Sequence, residues 1–197
     1  MATTMTYRLQ PPILVDYNDT RQQIADGDLL LYRRRGLISQ AGRGEHCHAA
    51  MAAWWADDLF CIETRALRGG RAVTLSSQVR RYPGRIDVYE ANPENLCPQY
   101  DAAAAVRFMR RLAGCDYGWL NLLAAALLHL PLVRLFVCVQ TDDQAINAWP
   151  PFCSQAVAMA DRLGGHVDPV PHLADRLTEP ADLARSVFYR YRFTLVP

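Results

Sequence analysis

Runs of apolar residues, and the polar residues that interrupt them, predict most of the elements of this chain. Residues 28–33, DLLLYR, form a short unbroken apolar run after the turn pair Asp26-Gly27, as a buried strand does. Residues 48–55 and 58–64 are two longer runs parted only by Ala56-Asp57, which predicts a hairpin. Residues 71–75 and 86–90 read as further strands, the second entered through the turn Tyr82-Pro83-Gly84. Residues 101–113 predict a helix with Asp101 as N-cap and Gly114 as its stop. Residues 153–163 predict another, ended by Gly164-Gly165, and residues 188–195 alternate like a strand. Residues 36–44 read as a short helix or loop, and 140–147 as a polar loop. There is no internal repeat or low-complexity linker. Strands, then helices, then one strand suggest an α+β fold rather than a βαβ array.

Composition narrows the class. A chain of 197 residues with 51% apolar residues is long enough for one domain with its own core. The formal net charge of +1 gives no reason to expect a nucleic-acid partner. All the basic residues are arginine. Arg33-Arg34-Arg35 and Arg80-Arg81 read as solvated faces, with contact to an acidic polymer or lipid head group as the alternative. The six cysteines, Cys47, Cys61, Cys97, Cys115, Cys138 and Cys153, show no CxxC pair, so free thiols in a reducing compartment are expected. The first residues lack the charged start and apolar core of a signal peptide, which predicts a protein cytoplasmic at synthesis. Action at the cell envelope would then need delivery by a phage or by secretion machinery. Residues 119–139 are long enough to span a bilayer but are interrupted by Asn121, His129, Pro131 and Arg134. They read as a buried helix broken at Pro131, with a lipid- or partner-facing surface as the alternative.

Candidate chemistry centres on PPFCSQAVAMADRLGG, residues 150–165, which starts a helix with a cysteine. At a helix N-terminus the unpaired N–H groups and the dipole favour a thiolate. Such a thiol needs an imidazole to take its proton and a third group to hold that imidazole. In a regular strand His46 and His48 share a face, with Cys47 opposite, and Cys61 and Glu63 share one on the return strand. His48 and Glu63 could then meet across the hairpin, and Cys153, His48 and Glu63 could fill the three roles. Taken singly, His48 also reads as a satisfied core histidine, Glu63 as a solvent-facing strand residue, and Cys153 as core filler. His46, His48, Cys61 and Glu63 with Cys153 could instead ligate zinc.

Several segments in order carry a resemblance: ADGDLLL (25–31), CHAAM (47–51), CIET (61–64), GGRAV (69–73) and FCSQ (152–155). They resemble the circularly permuted, YiiX-like branch of the NlpC superfamily of papain-like cysteine hydrolases, over roughly residues 24–195. The resemblance implies a permuted papain-like α+β domain over 24–197, its antiparallel sheet packed against helices, after an N-terminal extension, 1–23. It implies Cys153 as nucleophile, His48 as general base and acid, and Glu63 as the residue orienting His48. Tyr117, in GCDYGW, resembles a family tyrosine near the nucleophile that would help the oxyanion hole. The backbone N–H of Cys153 or Ser154 would be the other donor. EPADL, 179–183, resembles a structural element of the branch. Two positions depart from the pattern: Cys47 stands where serine is common, and Gln155 where glutamate is common, which bears on the substrate charge tolerated.

The implied reaction is acyl transfer through a thioester on a peptide or acyl substrate, without a cofactor or assigned metal. An amide bond, for example in peptidoglycan stem peptides, is the first candidate. A lipid-directed acyltransferase or thioesterase, served by residues 119–139 and the pair Trp54-Trp55, is the alternative. A non-catalytic binding or virion module on the same fold is another.

Overall fold

The strand His46–Trp55, HCHAAMAAWW, is the longest among the described residues and is central to the sheet. The computed structural model describes residues 11–34, 44–65, 68–116 and 151–197. Seven strands form one mixed sheet: β1 (Leu14–Asp16), β2 (Leu29–Arg33), β3 (His46–Trp55), β4 (Asp58–Arg65), β5 (Gly69–Thr74), β6 (Ile86–Ala91) and β7 (Tyr189–Val196). Their order is β1-β7-β6-β2-β3-β4-β5. The described α-helices are α1 (Tyr17–Thr20), α2 (Leu75–Arg81), α3 (Ala102–Arg111), α4 (Cys153–Met159) and α5 (Pro180–Arg185). After Met159, α4 runs on into a π-type turn, Ala160–Gly164.

Every ladder is antiparallel except the one that joins β1 to β7, where Leu14 pairs with Thr194 in parallel. The sheet is therefore mixed rather than purely antiparallel. The segment expected to precede the domain supplies one of its edge strands. Both faces of the sheet are covered, which is why the central strands read as near-continuous apolar runs. On one face Leu29, Leu31, Ala49, Met51 and Ile62 pack with Val106 and Met109 of α3, Val157 of α4 and Leu183 of α5. On the other, Leu30, Ala50, Ala52, Cys61 and Val88 pack with Leu75 and Val79 of α2. The alanines of β3 let helices approach the middle of the sheet closely.

Two local devices position one end of the sheet and the start of α4. The Gly69-Gly70 pair lets the end of α3 press on β5: the Gly70 N–H donates to Cys115 O at 2.7 Å, and the Gly114 N–H to Gly70 O at 2.8 Å. A Cβ on Gly70 would lie 1.7 Å from the Leu112 carbonyl oxygen. At the start of α4, the Gln155 side chain accepts the Phe152 N–H at 3.3 Å, and the Ser154 hydroxyl donates to Thr178 O at 2.8 Å. Both side chains are buried. No helix among the described residues is long and apolar enough to cross a membrane.

Candidate active site

A β-bulge sets the site. Between β2 and β3, Tyr32 pairs with His48 but Arg33 pairs with His46, so Cys47 is the extra residue. The two histidines therefore point to opposite faces, against the regular alternation expected of HCH. His46 lies on the α3–α4 face, where its Nε2 contacts Asp87 Oδ2 at 2.7 Å. Arg33 and Thr194 also donate to Asp87, at 2.6 and 2.5 Å. His48 lies on the opposite face beside Tyr32, their rings edge to face with centroids 5.1 Å apart.

His48 and Glu63 meet as the hairpin reading expected. His48 Nε2 is 2.6 Å from Glu63 Oε2, and Glu63 is fully buried. Nδ1 is the ring nitrogen this leaves for Cys153, the other group that raises His48. The ladder between β3 and β4 runs from Trp55↔Asp58 only as far as Met51↔Ile62. Beyond it the strands part, and the backbone N–H groups of Ala49 and Ser154 favour the Cys153 thiolate.

The electrostatics favour a thiolate–imidazolium pair. Burial alone would raise the Cys153 thiol, but the hydrogen bond to His48, the imidazolium charge and the Ala49 and Ser154 N–H groups outweigh it and bring it below the ordinary thiol value. Burial alone would lower His48, but hydrogen bonds and charge interactions with Cys153 and Glu63 raise it to about 9. Glu63 is held down to about 2: burial opposes its ionisation, while His48, Arg71 and Arg65 favour it.

The other sequence-derived candidates divide. The Ser154 side chain is spent on Thr178, so what it offers the site is its backbone N–H. Gln155 is buried, and its side-chain oxygen caps the start of α4. Tyr117, residues 119–139 and most of 36–44 lie outside the described residues. Trp54 and Trp55 sit at the hairpin end of β3, with the Trp54 indole donating to Ile24 O at 2.7 Å and Trp55 stacked near Phe60 and Arg110. The zinc set does not assemble: His46 is on the wrong face, Cys61 contacts the Tyr32 hydroxyl at 3.2 Å, and Glu63 already holds three cations. Among the described residues no group of three or more His, Cys, Asp or Glu side chains could hold a metal ion. Arg71 and Arg65, both on Glu63, had no distinguishing mark in the sequence except that Arg71 follows Gly69-Gly70.

No protein-family model matches the chain, and no curated protein sequence does. Among solved structures, the chain is similar to the crystal structure of YiiX from Escherichia coli O157:H7, described as a metalloprotein and a DUF1105 protein. The TM-score is 0.58 at 10% sequence identity, and the match covers 89% of this chain and 99% of YiiX. At that identity the likeness is one of fold.

Proposed function

We propose that the protein is a cysteine hydrolase that cleaves an amide or ester through a thioester on Cys153. The observation that carries this reading is the buried His48, held by Glu63 at 2.6 Å on one side and interacting electrostatically with Cys153 on the other. That is the nucleophile–base–orienter arrangement of acyl transfer, recognised by geometry and role rather than by chain order. Here the order is histidine, carboxylate, then cysteine, the order expected of a permuted papain-like domain.

Each step has a residue. The Cys153 thiolate adds to the carbonyl carbon. His48 gives its Nδ1 proton to the leaving amine or alkoxide as the tetrahedral adduct collapses. Neutral His48 then takes a proton from water, whose oxygen attacks the thioester and restores the thiolate. Glu63 holds Nε2 throughout and stabilises the imidazolium. The N-terminal N–H groups of α4 bind the developing oxyanion, and losing one such donor costs about 100- to 1000-fold in rate. Among amides, peptidoglycan stem peptides are the substrates the family resemblance favours testing first.

The test is to trap the acyl-enzyme. Protein incubated with p-nitrophenyl acetate, quenched in acid and digested, should carry acetyl on Cys153, and neither Cys153→Ser nor His48→Ala should release nitrophenolate above background. Acetyl spread over several cysteines at similar occupancy would overturn the reading.

A further inference from the structure

We infer that Arg71 is a positioning residue of this site, fixing the second oxygen of Glu63 so that the first stays on His48. The inference rests on the reading of Cys153, His48 and Glu63 given above. Glu63 is fully buried at the point where β3 and β4 have parted, so the β3 ladder does not hold its backbone against His48. What holds it comes from β5, where Arg71 pairs directly with Glu63 in the register. Arg71 Nε donates to Glu63 Oε1 at 2.8 Å, and its Nη2 reaches the same oxygen. Among the described residues, Glu63 Oε2 is thereby left to His48.

The neighbouring cation does not do the same work. Arg65 is 3.5 Å from Oε1, donates to the Tyr82 hydroxyl at 2.5 Å and stacks over its ring. Among the described residues, the other titratable groups interacting with Glu63 are Tyr32 and Cys61, which burial holds in their neutral forms. Without Arg71, Oε1 becomes an under-satisfied acceptor in a buried site, and the carboxylate can turn toward Arg65. His48 then loses the fixed acceptor that keeps Nε2–H engaged and Nδ1 on the thiol. A planar guanidinium with two donors on one edge suits this clamp better than an ammonium, although lysine can keep one contact.

The test reads the thiol without a substrate. Iodoacetamide alkylation of Cys153 is followed by peptide mass spectrometry from pH 4 to 9 in wild type, Arg71→Met, Arg71→Lys and His48→Ala. Arg71→Met should move the acid limb of the Cys153 profile up by about one pH unit, a loss of about tenfold at pH 5 to 6. Arg71→Lys should recover most of that loss. A wild-type limb in Arg71→Met beside a slowed His48→Ala would overturn the role of Arg71 alone. A wild-type limb in His48→Ala would overturn the site reading beneath it. If Arg71→Met does not fold, the His48 titration of Arg71→Gln, which lacks the charge, decides by NMR: a midpoint below that of wild type supports the clamp, and an unchanged midpoint removes it.

Discussion

At the scale of single residues, the account turns on charges that hold one another in place. Cys153 and Glu63 keep His48 protonated, so Glu63→Gln should bring the His48 midpoint down from about 9, followed in the imidazole proton resonances. The sign follows from the pair: the elevated His48 midpoint stabilises the fold fully below 6.5, and that contribution is lost as pH rises through about 9. The variant should lose part of this upper-limb dependence, and an unchanged His48 midpoint would contradict the role given to Glu63. Residue identity was legible here in part. Cys153, His48 and Glu63 stood out by type and spacing, but the sequence could not show the bulge at Cys47. A one-residue slip turns every later side chain to the other face. That is why His46 was expected beside His48 and instead belongs to Asp87 and Arg33 on the opposite side. Arg71 was invisible for a related reason, because which residue of β5 faces Glu63 depends on a register that only the folded ladder fixes.

At the scale of elements, the strongest patterns predicted the right pieces. The apolar runs gave β2, β3, β4, β5, β6 and β7, and Asp101 caps α3 as expected, its side chain accepting the Ala104 N–H at 2.8 Å. α2 was not anticipated. It has seven residues, no side-chain N-cap, and an apolar pair, Leu75 and Val79, too short to show a period. Gly69-Gly70 matched a motif whose physical reason appears only in the packing. Gly70→Ala drives a Cβ into the Leu112 carbonyl, and neither backbone can give way cheaply. We expect a loss of about 3 kcal/mol, read as a fall in Tm of roughly 6–12 °C. A fall within a degree or two of wild type would mean that α3 is not pinned to β5 there. Gln155→Ala removes the cap of α4 and should cost about 1 kcal/mol in chemical denaturation. Gln155→Glu keeps the acceptor and should cost less. Equal losses in the two variants would remove the capping role.

At the scale of the molecule, a mixed sheet covered on both faces brings α4 against the place where β3 and β4 part. The α+β class could be read from the order of elements, but the parallel β1 edge could not, since three residues carry no pattern. Deeper in, the π-type turn after α4 presents Asp161 to the Tyr100 hydroxyl at 2.8 Å and to the Tyr189 hydroxyl, tying α4 to β7. Burial raises Asp161 to about 7, against the pull of both tyrosines, and raises Asp28 to about 6. A carboxyl raised in the folded state favours folding when protonated. Its contribution is full below its unfolded value of 3.8 and is lost as pH rises through about 7. Wild type should therefore lose stability relative to Asp161→Asn between about pH 4 and 7 in urea titrations, and parallel curves would contradict this.

The central claim is that Cys153 is an activated thiol paired with His48, and alkylation kinetics test it most directly. Iodoacetamide labelling of every cysteine across pH 4 to 9, in wild type and His48→Ala, should show Cys153 reacting fast well below the free-thiol value of about 8.5. Cys47, Cys61, Cys97 and Cys115 should stay slow there, and His48→Ala should abolish the advantage of Cys153. If Cys153 reacts like its neighbours in both proteins, the pair is not a nucleophile and base, and the fold serves something other than acyl transfer.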